Sequence, residues 1–266
     1  MTGVFVPWLA DAARLTGYPV IEVDGWCNRG HGGFRVLEGV VGHHTADGPT
    51  GEYPSLKVVR DGRADLAGPL CNLGLGRSGT AYVIAAGQAW HAGASAWSGF
   101  TDLNDEFLGI EAESCGTKDD WTPAQRDAYP RLVASCLYYM SRSAGRFCGH
   151  KECALPTGRK IDPAFWDLIA FRTQVGYLLA DPLTRIPKGG EELPSIDDVR
   201  AVVREELAII ARRDDIGWAR SQVLAALGIA KPSAAPPSPP SGTKPVQQQL
   251  DEIHDMLSGI VAQLSK

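Results

Sequence analysis

No stretch of the 266-residue chain approaches eighteen uninterrupted apolar residues, so no membrane-spanning helix is expected. The opening Met1-Thr2-Gly3-Val4-Phe5-Val6 lacks a basic segment followed by a long apolar one, so no secretory signal is expected either. Basic charge is also in short supply. Lys and Arg number 26 against 31 Asp and Glu, a net charge of −5. Nothing general then attracts the chain to nucleic acid or to an anionic membrane. Six cysteines without an export signal are expected as free thiols. Cys148 and Cys153 flank His150, but they lack the second CxxC or HxxxH half of a structural Cys/His zinc site. The expectation left by these absences is a cytoplasmic protein of ordinary globular composition, 44% hydrophobic and 21% charged.

Chemistry is concentrated in Cys148 to Pro163. His150 to Asp162 brings an imidazole, an ammonium and a carboxylate together within thirteen residues, on a loop punctuated by Pro156, Gly158 and Pro163. Two ligands from such a loop can hold a divalent metal if a third arrives from elsewhere. A catalytic zinc takes three protein ligands and keeps one position for water. The third ligand is sought in Val40-Val41-Gly42-His43-His44-Thr45-Ala46, where an apolar run ends in two histidines. Spacing alone leaves His43 and His44 both open. His31, on the glycine-rich loop Gly25 to Gly33, is a further candidate that reads more simply as solvated.

The remaining segments supply a scaffold. Residues 6–16 read as a short helix with Pro7 in its first turn and Gly17 ending it. Phe34 to Val41 reads as a buried strand aiming the histidine pair, and Ser55 to Arg60 as a short helix or strand. Thr80 to Ala86 and Gln88 to His91 read as a hairpin joined through Gly87. Leu108 to Glu113 is a further strand whose Glu111 and Glu113 share a face. Thr122 with Gln125 forms a capping box ahead of a helix that Pro130 bends and that ends near Gly145. A last helix begins at Ala164 and runs to about 179, closing an α/β domain over residues 1–178. Residues 179–195 read as a linker, 196–230 as a helical region and 231–246 as a Pro/Ser-rich spacer. In 247–266, Leu250, Ile253, Leu257, Ile260 and Leu264 make an a/d seam, a candidate coiled coil for homo-oligomerisation.

Gly42-His43-His44-Thr45-Ala46, Leu108-Gly109-Ile110-Glu111-Ala112-Glu113, Thr122-Pro123-Ala124-Gln125 and His150 with Pro156-Thr157-Gly158-Arg159-Lys160-Ile161-Asp162-Pro163 occur in an order that resembles the zinc-dependent N-acetylmuramoyl-L-alanine amidases of the amidase-2/peptidoglycan-recognition-protein family. The resemblance covers about residues 35–175. It implies an α/β fold with a central mixed β-sheet flanked by helices, here with a helical C-terminal extension. It makes His43, His150 and Asp162 the ligands of a Zn2+ ion. Lys160 matches a lysine that stabilises the developing oxyanion, and Glu111 the acid that acts on the attacking water. His44 fills a neighbouring, variable position that could touch substrate. Trp90-His91-Ala92-Gly93 resembles a segment lining the substrate groove. The family's phage branch carries a catalytic tyrosine where this chain has Thr80, with Tyr82 two residues on and on the same strand face.

The implied activity is hydrolysis of the amide between N-acetylmuramic acid and the L-alanine of the stem peptide, with bacterial peptidoglycan as the partner. A missing signal and an appended spacer suit a phage endolysin. The alternatives are a cytoplasmic muropeptide-recycling amidase and a peptidoglycan-binding module that has lost its metal. The presence of all three ligands speaks against the last.

Overall fold

The computed structural model describes residues 3–188 apart from Pro49. The expectations for residues 189–266, including the helical region, the spacer and the seam, lie outside the described residues.

In chain order the elements are α1 (Leu9–Leu15), β1 (Val20–Glu22), β2 (Gly39–His44), α2 (Leu56–Asp61), β3 (Gly62–Arg63), β4 (Leu66–Ala67), β5 (Leu73–Leu75), β6 (Ala81–Val83), α3 (Leu103–Glu106), β7 (Phe107–Ala112), α4 (Pro123–Tyr139), β8 (Phe147–Gly149), α5 (His150–Cys153), α6 (Leu168–Ala180) and α7 (Pro182–Arg185). Six strands form one mixed sheet in the order β1-β6-β5-β7-β2-β8, while β3 and β4 make a separate small hairpin. Only the β5–β6 pair is antiparallel within the large sheet. β2 lies inside it, with β7 on one side and β8 on the other, and every residue of β2 is buried. A strand buried on both faces reads as a continuous apolar run, which is how Val40 and Val41 appear in the sequence.

One face of the sheet carries α4. The capping box is formed as the sequence suggested: Thr122 Oγ1 accepts from the Gln125 N–H at 3.1 Å, and Gln125 Oε1 accepts from the Thr122 N–H at 3.2 Å. The helix runs on through Pro130 to Tyr139, short of the expected Gly145. Tyr129 is the hinge pin between helix and sheet. Its hydroxyl accepts from the His43 N–H at 2.9 Å and lies 3.0 and 3.1 Å from the carbonyl oxygens of His43 and Ile110. Around it, Phe147 stacks on Phe171 at 4.5 Å, and Phe171 meets Tyr129 edge-on at 5.3 Å. Such pairs add to area burial and lock α6 against β8.

Several expected boundaries shift. The strand proposed from Phe34 begins only at Gly39, and Phe34 instead makes a single bridge to Val4. The helix proposed from Ala164 starts at Leu168, where Asp167 accepts from the N–H groups of Ile169 and Ala170 at 3.1 and 3.0 Å. The hairpin of Thr80–Ala86 with Gln88–His91 does not form. β6 pairs with β5 instead, Leu73 opposite Val83 and Leu75 opposite Ala81. Asn72 secures the turn by donating to the carbonyls of Ala85 and Gly87 at 2.9 and 2.8 Å. Residues 179–188, expected as the start of a linker, are docked. Ile186 is fully buried, and Arg131 on α4 donates to the carbonyls of Ile186 and Pro187, both at 3.2 Å.

Candidate active site

β2, β7 and β8 run parallel, so their C-terminal ends lie at one edge of the sheet, where open α/β sheets place their sites. His43 is the penultimate residue of β2, and Glu111 lies opposite it on β7. His150 follows directly after β8. The register continues across the sheet, Glu111 opposite Gly74 and Gly74 opposite Tyr82. Directly paired residues face the same side. A side chain at Gly42 would meet the Tyr129 hydroxyl at 2.9 Å, so Gly42 faces α4 and His43 faces away from it. Alternation thus resolves the histidine pair. His43 points into the site, whereas His44 points to the α4 side, where its Nδ1 accepts from the Ala164 N–H at 3.0 Å.

His43, His150 and Asp162 are buried and converge. His43 Nδ1 lies 3.1 Å from His150 Nδ1 and 3.0 Å from Asp162 Oδ2, and His150 Nδ1 lies 2.9 Å from the same oxygen. These three residues can hold a metal ion. Ligands about 2.0–2.1 Å from a tetrahedral ion sit about 3.3 Å apart, close to the separations seen. The donor chemistry fits as well. His150 Nε2 faces the Ala92 carbonyl at 3.0 Å, and a carbonyl only accepts. In the neutral ring the proton is therefore on Nε2, and the bare Nδ1 faces a carboxylate oxygen. Two lone pairs at that separation repel, and a cation between them removes the conflict. Burial pushes His43 down to about 4, with Asp162 pulling the other way, so this imidazole is uncharged at neutral pH.

Glu111 completes the pocket. Its Oε1 lies 4.0 Å from His43 Nδ1, and its Oε2 is buried with no hydrogen-bond partner among the described residues. Burial raises its carboxyl well above the ordinary value, the Asp162 charge adds to this, and the Lys160 charge opposes it. Glu113, two residues on, is already committed: it accepts from Thr45 Oγ1 at 2.8 Å and from Ser55 Oγ at 3.2 Å. Lys160 is exposed and lines a groove of about 320 Å³ together with Arg63, Trp90, Asn104, His150 and Arg159.

Other candidates fall outside this cluster. Tyr82 is packed with Val23, Val59 and Ile84 and stacks on Tyr53 at 4.6 Å. Tyr53 occupies the space above Gly74, between Tyr82 and Glu111, and its hydroxyl donates to the Glu111 carbonyl at 3.0 Å. Trp90 is part-exposed at the groove and stacks on His31 at 3.7 Å, while His31 Nε2 faces the Pro69 carbonyl at 3.3 Å. His31 thereby backs Trp90 and stands outside the His43–His150–Asp162 group. His91 is buried, with Nδ1 3.1 Å from His43 Nε2 and Nε2 3.1 Å from the Phe107 carbonyl. Burial pushes its pKa well below the ordinary value. Cys148 and Cys153 are free and sit in the core beside Val41 and Phe107, away from metal-ligand duty.

Three roles were missed from sequence: Tyr129 holding the His43 backbone, Tyr53 bracing Glu111, and Asn104 accepting from the N–H groups of His91 and Ala92 at 2.9 and 2.8 Å. One signal was available, because glycine inside a strand, as at Gly109, marks a close approach by another group.

The N-acetylmuramoyl-L-alanine amidase family matches residues 33–165, half of the chain and the span that contains every residue of this cluster. The chain belongs to that family. No curated protein matches it. Solved structures similar to this amidase-family chain include the N-acetylmuramoyl-L-alanine amidase LysC from Clostridium intestinale URNW, at 18% identity, 54% of this chain, 87% of that chain and a TM-score of 0.41. AmiD from E. coli, in complex with the substrate anhydro-N-acetylmuramic acid-L-Ala-D-gamma-Glu-L-Lys, is similar at 19% identity, 91% of this chain, 96% of that chain and a TM-score of 0.41. A mutant endolysin from Bacillus subtilis is similar at 17% identity, 60% of this chain, 99% of that chain and a TM-score of 0.43. Among the described residues, no helix is long and apolar enough to cross a membrane.

Proposed function

We propose that this amidase-family chain is a zinc-dependent hydrolase of peptidoglycan, cutting between the lactyl group of N-acetylmuramic acid and the L-alanine of the stem peptide. The observation that carries the reading is the convergence of His43 Nδ1, His150 Nδ1 and Asp162 Oδ2 beside the unpaired Glu111 Oε2. Two nitrogens and one carboxylate oxygen are a donor set that zinc takes in catalytic sites. Zinc held there supplies Lewis acidity, bringing water close to deprotonation near neutral pH and polarising a carbonyl.

The protein residues do the rest. His43, His150 and Asp162 would hold the ion, and His150 also lines the groove. Glu111 takes the proton of the attacking water through its free oxygen and hands it to the departing L-alanine nitrogen. A carboxyl raised by burial suits both halves of that transfer. Lys160 reaches the groove from the exposed loop and places a positive charge where the carbonyl oxygen becomes anionic. The net reaction adds hydroxyl to the lactyl carbonyl and hydrogen to the amine.

The Pro/Ser-rich spacer and the following residues support deployment as a phage endolysin, since appended segments suit wall targeting or self-association. The deciding experiment is mass spectrometry of peptidoglycan digested by the full chain. Free stem peptides beginning with L-alanine, alongside glycans that keep their lactyl groups, are expected. Products cut only at glycosidic bonds or within the peptide would refute the reading, and binding without products would favour a non-catalytic binding module.

A further inference from the structure

Two imidazoles and a carboxylate serve a metal only when the imidazole nitrogens aimed at the centre carry no proton. In each ring that choice is made at the opposite nitrogen. For His150 the Ala92 carbonyl makes it directly, 3.0 Å from Nε2. Among the described residues, His43 has no carbonyl at the corresponding place. Its Nε2 faces another imidazole nitrogen, Nδ1 of His91, at 3.1 Å. Either atom of such a pair could carry the proton, so the pair by itself decides nothing.

The decision comes from one step further out. His91 Nε2 faces the Phe107 carbonyl oxygen at 3.1 Å. That oxygen only accepts, so His91 donates through Nε2 and is left with a lone pair on Nδ1. His43 must then donate through its own Nε2, which bares His43 Nδ1 toward His150 and Asp162. Both ligand imidazoles are thus set by two consecutive residues, one through a side chain and the other through a backbone carbonyl. Those residues are themselves fixed, because Asn104 Oδ1 accepts from both of their N–H groups at 2.9 and 2.8 Å. Gly109 makes room for the ring: a side chain there would lie 2.5 Å from His91 Cγ.

We infer that His91 and Ala92, pinned by Asn104, form a clamp that imposes the Nε2–H tautomer on His43 and His150 together, with His91 the positioning residue for His43. His91 also lines the groove, and both its ring nitrogens are engaged inside the protein. The inference rests on the metal reading above. It goes further in assigning the order of protons behind the ligands.

The test uses the full chain with His91→Phe, which keeps a ring and loses the acceptor, and His91→Asn, whose Oδ1 can stand where Nδ1 stood. Zinc affinity is read by competition with a chromophoric chelator. Imidazole tautomers are read by 15N–1H NMR on the zinc-free wild-type chain at pH 8. His91→Phe should bind zinc about 10- to 100-fold more weakly, and His91→Asn should recover most of that loss. The wild-type spectrum should show protons on Nε2 of both His43 and His150. Wild-type zinc affinity in a folded His91→Phe, no recovery in His91→Asn, or a proton on His43 Nδ1 would each overturn the clamp. If His91→Phe fails to fold, the wild-type spectrum still decides. A wild-type chain that takes up no zinc would sink the metal reading instead, and the tautomer spectrum would still confirm or overturn the clamp on its own.

Discussion

Gly109→Ala adds a single methyl group at the back of the site. The added carbon would lie 2.5 Å from His91 Cγ, 2.6 Å from Cδ2 and 2.9 Å from Nδ1, where ordinary contact begins at 3.4 Å. The imidazole must therefore retreat by about 0.9 Å, the difference between the shortest of these and that threshold. Its bond to His43 is already 3.1 Å long. Hydrogen bonds of this kind end near 3.2 Å, so the displaced ring loses His43, the Phe107 carbonyl, or both. Overpacking of this sort costs about 1–3 kcal/mol. Urea denaturation of the zinc-free chain should show that loss, and chelator competition should show zinc held about 10- to 100-fold more weakly. Gly145→Ala is the control, because its added carbon meets only Ser143 Oγ at an ordinary 3.7 Å. It should leave stability and zinc affinity unchanged. If Gly109→Ala matches wild type in both assays, His91 is not held against β7 as described and the reasoning fails.

Glu111→Gln should keep its zinc, since the carboxylate stands 4.0 Å from His43 Nδ1 and belongs to no ligand set, while kcat falls about 10²- to 10⁴-fold on soluble muropeptides. Thr122→Ala removes the oxygen that accepts from the Gln125 N–H at 3.1 Å and should cost about 1 kcal/mol in urea denaturation. Acid should weaken the zinc-free fold through His43, which titrates at 6.5 when unfolded and at about 4 when buried. The unfolded chain takes up that proton first, so the contribution is complete above 6.5 and is lost as the pH falls toward 4, about 3 kcal/mol taken alone. Glu111 works against this, because a raised carboxyl gains its proton earlier in the folded chain and so adds stability as the pH falls. The acid loss should therefore be steeper in Glu111→Gln than in wild type, and equal slopes would contradict the burial of that carboxyl.

Local rules that act within a few residues were readable in the sequence. The Thr122–Gln125 capping box, α4 beyond it and the β7 strand with Glu111 all stand close to where spacing put them. Spacing left His43 and His44 open and the resemblance chose His43; the physical reason needed the sheet, where pairing with β7 puts His43 opposite Glu111. The mistaken hairpin has a similar cause. β5 is three residues long with Gly74 at its centre, too short for any period to show, so the true partner of Thr80–Val83 is invisible in the chain. Ala92, Asn104 and Phe107 act through backbone or amide groups whose partners lie 12 to 58 residues away, and such roles leave no pattern in the chain. The extended docking of residues 179–188 was hidden for the same reason, since proline and charge in that stretch read as linker until Arg131 gathers its carbonyls.

The most direct test is the metal content of the purified full chain, measured by mass spectrometry of the elements, for wild type and for Asp162→Ala, with muropeptide cleavage followed on the same samples. A single zinc per wild-type chain, none in Asp162→Ala, and cleavage that disappears on chelation and returns with added zinc are expected. Stoichiometric zinc in Asp162→Ala, or undiminished cleavage by wild-type protein stripped of all metal, would contradict the assignment of His43, His150 and Asp162 as the ligands that make this fold a hydrolase.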